Sequence, residues 1–207
     1  MSEILITENL QGKLGMEYIK NGYVYHIVTN NEMTVGQELT FGNTHNSIYN
    51  NVMNLEFLNE KGEDSLDIIL QTKMENLSIE QKRIIFKHIY ETAMIMREYV
   101  LENVRKEFYP DYPSRFSCLY CVRNLDETDA WLEVFNRTGK KALQIVKMKV
   151  SGKIFDGDGN KILRDAKNLN YKINLAKEYW KESLQSSLPE CLFEGQAEVV
   201  EVVKTFE

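Results

Sequence analysis

Residue types that can take part in chemistry stand in three separate segments of the chain: His26, Tyr120, and a glutamate that is either Glu194 or Glu198. An imidazole can exchange a proton, a phenol ring can stack on another flat ring, and a carboxylate can stabilise a positive charge. The alternatives are ordinary ones. A strand histidine is more often a satisfied core residue, a strand tyrosine is usually packing, and an edge-strand glutamate is usually solvated. The chemistry therefore requires the three segments to meet in one cleft.

Two further patterns with ligand-type spacing do not complete a metal site. The run 156–160 (Asp-Gly-Asp-Gly-Asn) begins like a calcium loop, but Lys161 stands where glycine is needed and Lys167 where a bidentate glutamate is needed. Cys118 and Cys121 have the spacing of a zinc pair, yet residues three apart on a strand point to opposite faces, and there is no second pair. The sequence predicts a tight turn, buried thiols and no metal.

Composition predicts one folded domain spanning residues 1–207. The chain is 43% hydrophobic, carries a formal net charge of −6 and contains three cysteines. The negative charge argues against a general nucleic-acid or anionic-membrane binder, although it leaves room for a local basic groove. We expect a cytoplasmic protein with reduced cysteines and no membrane contact, since no segment approaches the roughly 20 apolar residues that span a bilayer and no signal-peptide pattern is present.

Local patterns predict an α+β domain with a mostly antiparallel, split sheet and flanking helices. Ser78 and Gln81 form a capping-box pattern that opens the longest helix, predicted over 79–107. The remaining predicted elements are strands at 23–29, 116–122, 142–150 (continuing to 155) and 197–203, helices at 46–53, 64–74 and 171–185, a helix capped by Asn124 or Asp126, a surface segment or short helix over 1–22, and a loop over 33–45.

Three segments resemble motifs of the ADP-ribosyltransferases with a His-Tyr-Glu signature. Segment 25–29 (Tyr-His-Ile-Val-Thr) resembles the first motif, a strand histidine followed closely by a small hydroxylated residue. Segment 119–131 is similar to the second, a strand tyrosine, a polar turn and a helix with a small and an aromatic residue. Glu198 and the apolar strand after it resemble the third. Through Tyr-His-Ile, Tyr-Pro-Asp-Tyr-Pro-Ser-Arg-Phe and Glu-Gly-Gln-Ala-Glu-Val-Val, the whole chain resembles an uncharacterised bacterial family, a domain of unknown function, with the ADP-ribosylation fold.

The resemblance implies an ADP-ribosyltransferase-like fold with NAD as substrate. Glu198, or alternatively Glu194, is then the carboxylate that stabilises the ribose cation. His26 hydrogen-bonds the adenosine-side ribose, Thr29 is the hydroxylated residue of the same motif, and Tyr120 stacks on the nicotinamide ring. A departure from the group is the residue after the histidine, which is isoleucine where the group commonly has glycine.

The segment before the middle strand adds two candidates. Ser114 or Arg115 is placed to meet a pyrophosphate, since a guanidinium fork suits phosphate oxygens, and the alternative for Arg115 is a surface salt bridge. The resemblance thus implies an NAD-binding protein that transfers ADP-ribose to a macromolecular acceptor, protein or nucleic acid, which the sequence does not name. One alternative is a catalytically inactive nucleotide- or protein-binding module of the same fold. Another is an interaction protein that uses the 79–107 helix as its partner surface.

Overall fold

The computed structural model describes residues 15–71, 77–162, 168–181 and 186–206. Within these ranges the chain forms five strands and five α-helices. The strands are β1 (Met16–Val28), β2 (Glu38–Phe41), β3 (Leu119–Cys121), β4 (Gln144–Asp158) and β5 (Pro189–Thr205). The helices are α1 (Ser47–Met53), α2 (Ser65–Gln71), α3 (Ile79–Phe108), α4 (Glu127–Thr138) and α5 (Leu169–Tyr179).

The strands form one curled antiparallel sheet. Its order is β1-β4-β5-β2, and β3 pairs with β5 as well. Two backbone hydrogen bonds of 2.9 Å between Tyr25 and Val122 join β1 to the end of β3. The strands β1, β4, β5 and β3 therefore close around an interior. This arrangement confirms an α+β domain with an antiparallel sheet. The predicted split of the sheet is wrong, because all five described strands belong to one sheet. An ADP-ribosyltransferase-like fold stays a prediction.

A pair of glycines permits the close approach of the two longest strands. Gly152 on β4 lies opposite Gly195 on β5. A Cβ atom on Gly152 would lie 2.1 Å from the carbonyl oxygen of Glu194, and one on Gly195 would lie 2.4 Å from that of Ser151. Any side chain at either position would force the backbones apart, so both positions require glycine.

Two hydrophobic clusters lie on opposite faces of the sheet. The inner core fills the curl and consists of residues from the strands alone, because alternate side chains of each strand point inward. The outer core lies on the other face, where α3 and α5 pack against one end of the sheet. The buried members of the inner core are Val24, Val28, Leu119, Cys121, Val146, Met148, Val150, Ile154, Cys191, Phe193, Ala197 and Val199. Those of the outer core are Val100, Leu101, Val104, Tyr112, Cys118, Phe155, Ile162, Ala176, Tyr179, Trp180 and Leu192.

The cap predicted for the longest helix is confirmed, whereas the predicted cap of α4 is wrong, because Asp126 precedes that helix without a side-chain hydrogen bond to its backbone. The side chain of Asn46 accepts hydrogen bonds from two backbone N–H groups at the start of α1. Ser78 and Gln81 form the reciprocal capping box at the start of α3. Of the predicted 64–74 and 171–185 helices, the structure describes α2 and α5, and positions 72–74 and 182–185 lie outside the described residues. Among the described helices, none has the length and apolar character that a membrane span requires.

Several strand predictions were wrong in extent. The surface segment or helix predicted over 1–22 is strand from Met16 onward, and positions 1–14 lie outside the described residues. The loop predicted over 33–45 contains β2, which pairs with the far end of β5. The strand predicted over 116–122 is reduced to β3, because the N–H groups of Ser117 and Cys118 turn back to the carbonyl oxygen of Ser114. The predicted turn at 156–160 starts only after Asp158, where one turn of 3-10 helix follows β4.

Candidate functional site

The part of the sheet not covered by α3 and α5 presents a row of polar and aromatic side chains on its outer side. We call this surface the outer sheet face. Each set of register partners across this face consists of a tyrosine from β1, a lysine from β4 and a glutamate from β5. Its members are Tyr18, Tyr23, Tyr25, Lys147, Lys149, Lys153, Glu194, Glu198 and Glu201.

Glu198 lies near the middle of this face. Its register partner is Lys149, whose partner on the other side is Tyr23, so one residue of each type lies in a line across three strands. Glu198 is exposed, and Tyr23 retains 51% of its accessible surface. The Nζ atom of Lys147 lies 4.9 Å from the centroid of the Tyr23 ring, within the range of a cation–π contact. The face thus combines a basic and aromatic half with an acidic half.

Glu194 lies on the same side of β5 but is already bonded within the protein. Its Oε1 atom accepts hydrogen bonds from the Ser114 backbone N–H at 2.8 Å and from the Ser117 hydroxyl at 3.0 Å. The backbone of Gly42 lies so close that a Cβ atom there would be 3.2 Å from the Glu194 Cβ. This carboxylate therefore anchors the turn before β3 to β5.

His26 lies on the opposite, inner side of the sheet, and its register partner is Val146 of the inner core. Its Nδ1 atom donates to the carbonyl oxygen of Tyr120 at 2.8 Å. Burial lowers the pKa of His26 below its ordinary value, although the bond to Tyr120 opposes this shift. The imidazole is therefore neutral near pH 7, and it links β1 to β3.

Tyr120 and Arg115 are in contact with each other, and Arg115 also bonds side chains of α3 and α5. The Tyr120 hydroxyl donates to the carbonyl oxygen of Arg115 at 2.8 Å, and the guanidinium carbon lies 5.1 Å from the centroid of the tyrosine ring. Burial raises the pKa of Tyr120 well above its ordinary value. Arg115 is only 2% exposed, which places it away from any ligand at the surface.

The guanidinium of Arg115 is the centre of a buried ion network. Its Nε atom donates to Glu98 at 2.7 Å, and its Nη1 atom donates to Glu190 at 2.6 Å and to the Tyr179 hydroxyl at 2.7 Å. Burial would lower the pKa of Arg115, but the charges of Glu190 and Glu98 raise it well above its ordinary value. Arg97 also bonds Glu98, at 2.6 Å. The alternative reading of Arg115 as a surface salt bridge was wrong about its location, because Arg115 forms its ion pairs with Glu98 and Glu190 in the interior.

A second polar cluster adjoins this network. The guanidinium of Arg105 bonds Glu102 on the same helix and the carbonyl oxygens of Pro110 and Tyr112. The hydroxyl of Ser114 donates to Glu102 at 2.9 Å. Among the described residues, no buried side-chain nitrogen or oxygen lacks a hydrogen-bond partner. The two clusters therefore hold the 109–118 segment against α3, and we assign them a structural role.

The predicted site residues are thus brought together only in part. Ser114, Arg115, Tyr120 and Glu194 are neighbours around the turn before β3. The side chain of His26 lies behind them on the other face of the sheet, and half-buried Thr29 follows directly after β1. Glu198 stands apart on the outer sheet face. In the described ranges these groups do not line a common cleft.

With this geometry in place, a comparison with protein families assigns the chain. A family model described as "Protein of unknown function (DUF2441)" matches residues 24–205. The chain belongs to the DUF2441 family. A search of the curated proteins found no match. The prediction of a domain of unknown function is confirmed, and the match covers all five strands except the start of β1 and all five described helices.

The DUF2441 domain shows no metal centre in its described parts, where no cluster of three or more histidine, cysteine or acidic side chains could hold an ion. Asp158, from the predicted calcium-like run, instead accepts hydrogen bonds from the backbone and side chain of Asn160. All three cysteines are buried and free. Burial raises the pKa of Cys118 well above its ordinary value, consistent with an inert thiol.

Sequence reasoning missed the partners of Arg115. A signal for Glu98 was available, because Glu98, Leu101, Glu102 and Arg105 recur at helical spacing and so share one side of α3. Charged residues on a core-facing side of a helix indicate buried partners. Glu190 carried no comparable signal, because it stands near the start of a strand whose extent was underestimated.

Proposed function

We propose that this DUF2441 domain binds a nucleotide of the NAD or ADP-ribose class on its outer sheet face, and that it does not transfer ADP-ribose. The observation that carries this proposal is the row formed by Tyr23, Lys149 and Glu198 on three neighbouring strands. The choice of this class of nucleotide comes from the resemblance of the sequence motifs to ADP-ribosyltransferases.

The three side-chain types in the row match the three parts of such a ligand. An exposed tyrosine ring stacks on a base and contributes about 1–3 kcal/mol per base. Lys149 and Lys147 offer ammonium groups to the pyrophosphate, and the carboxylate of Glu198 accepts hydrogen bonds from ribose hydroxyls. Neighbouring strands are about 5 Å apart, so the row spans roughly 10 Å, within the length of a dinucleotide.

The open position of Glu198 favours binding without transfer. Stabilising a ribose cation requires a preorganised site that excludes water, where charge interactions are strong. Glu198 is exposed instead, and His26 and Tyr120 lie elsewhere. The domain is therefore proposed as a catalytically silent binder, which is the alternative that the sequence left open.

Calorimetric titration with NAD and with ADP-ribose tests the binding surface. Tyr23→Ala is expected to weaken binding about ten-fold, from the loss of one stacking contact. Tyr171→Ala is the matched control, because Tyr171 is a similarly exposed tyrosine on α5. The proposal would be refuted if neither NAD nor ADP-ribose bound, or if wild type and Tyr23→Ala bound them with equal affinity.

Release of nicotinamide from NAD, followed by proton NMR, tests the absence of transfer. We expect no release above the rate without protein. Release that disappears in Glu198→Gln, with unchanged thermal stability, would show that the domain is an enzyme and would overturn that half of the proposal.

A further inference from the structure

The N-terminal half of α3 lies outside the two hydrophobic cores. The helix has 30 residues and is about 45 Å long, yet all its buried residues lie between Glu98 and Arg105. The helix contacts both α1 and α2, and the N-terminal half packs against the start of α2 on one side. On that side His88 bonds the hydroxyl of Ser65, and its ring lies 4.5 Å from that of Phe57.

An apolar stripe runs along another side of this half. Its positions are separated by seven, three, four and three residues, which is the a/d spacing of a coiled coil. Phe86 is 70% exposed and Ile89 is 64% exposed, and Phe86 lies about 160° round the helix from His88. We call this stripe the α3 seam. It consists of Ile79, Phe86, Ile89, Ala93 and Met96.

Basic residues border the α3 seam. Lys82 occupies a d position within it, and Arg83 occupies the neighbouring e position on one flank. Lys87, Glu80 and Glu91 lie further round the helix, and Lys87 shares its heptad position with Glu80. The two charged residues that border the seam, Lys82 and Arg83, are thus both positive, although the chain as a whole has a formal charge of −6.

This charge distribution selects the kind of partner. Two copies of the helix meeting along the seam would bring lysine and arginine side chains of like charge together, which is unfavourable. A partner helix with an apolar stripe and acidic flanking residues would bury Phe86 and Ile89 and pair with the basic flank. We propose that the α3 seam is a docking surface for an acidic amphipathic helix of another protein. This site is separate from the outer sheet face and does not depend on nucleotide binding.

Two synthetic helical peptides of four heptads provide the test. Both have leucine at a and d, and they carry either glutamate or lysine at e and g. Fluorescence anisotropy with the full chain should show at least roughly ten-fold tighter binding of the glutamate peptide, with a preference that shrinks as salt rises above about 0.15 M. The double substitution F86S/I89S should weaken binding at least roughly ten-fold, because it removes two central apolar anchors.

Two further variants separate the contributions. Leu169→Ser is the matched control, because Leu169 is an exposed leucine on α5, and it should leave peptide binding unchanged. The double substitution K82E/R83E should shift the preference towards the lysine peptide. Thermal melting confirms that each variant is folded, which is expected since all the substituted side chains are exposed.

Three results would overturn the inference. The first is equal binding of both peptides, and the second is binding that F86S/I89S does not change. The third comes from sedimentation velocity: a dimer of the wild-type chain that becomes monomeric in F86S/I89S would identify the seam as a contact between two copies.

Discussion

Replacing Glu98 with glutamine tests the buried ion network directly. Burial would raise the pKa of Glu98, but the charges of Arg115 and Arg97 and their hydrogen bonds outweigh it and lower the pKa from the ordinary 4.5 to about 2. A difference of about 2.5 pH units corresponds to about 3 kcal/mol of folding free energy at neutral pH. Glutamine has no charge to contribute, so Glu98→Gln should lower the free energy of unfolding at pH 7 by about 3 kcal/mol.

The pH dependence gives a second and sharper signature. Because the folded-state pKa lies below the unfolded-state value, the stabilisation is fully present above pH 4.5 and is lost as the pH falls from there towards 2. By linkage, the difference between wild type and Glu98→Gln should fall to about half its neutral value near pH 3. Urea unfolding at pH 7, 5, 4 and 3, followed by tryptophan fluorescence, measures both quantities.

A matched control is Glu107→Gln, an exposed glutamate on the same helix, which should change stability by less than about 0.5 kcal/mol. Two results would refute the reasoning. One is a loss below about 1 kcal/mol in Glu98→Gln at pH 7. The other is a difference between wild type and variant that does not change with pH.

Three further predictions follow from packing, capping and burial. Gly152→Ala should lower the free energy of unfolding by more than about 3 kcal/mol or abolish folding, because the new Cβ atom would clash with the Glu194 carbonyl oxygen. Gly36→Ala, whose new Cβ atom would meet nothing within 4 Å, should lower it by only about 1 kcal/mol in the same urea assay. Equal losses in the two variants would contradict this prediction. Ser78→Ala should lower the free energy of unfolding by about 1 kcal/mol, because it removes the N-cap of α3. An unchanged midpoint of thermal unfolding would contradict this prediction. Ellman's reagent at pH 8 should find no reactive thiol among the three buried cysteines until guanidinium unfolds the chain, whereas rapid labelling of the native protein would show that the thiols are accessible.

The buried network also explains why the segment before β3 has its unusual composition. Backbone carbonyls at Pro110 and Tyr112 bond Arg105, while Ser114 and Arg115 bond glutamates of α3. The segment is therefore fixed by side chains rather than by a sheet. Its aromatic and apolar residues had suggested a strand entering β3, but the polar contacts impose a turn.

Elements encoded by near neighbours were predicted well from the sequence. The capping box of Ser78 and Gln81 and the apolar spacing after it lie within a few residues of each other, so α3 was placed within one residue at its C-terminal end. Strand extents were predicted less well. β1 starts seven residues before the predicted strand and β5 starts eight residues before it, because polar residues there are held by pairing with β4, a partner far away in the chain.

The sequence by itself determined the class of domain, the order of its main elements, and a histidine, a tyrosine and a glutamate on three strands. Only the tertiary structure decided which way those side chains point. On a strand, adjacent residues face opposite sides of the sheet, and the facing depends on register with distant partners. Pairing with Val146 turns His26 inward, and pairing with Lys149 turns Glu198 outward. A curled sheet therefore separates residues that their order along the chain had suggested would meet.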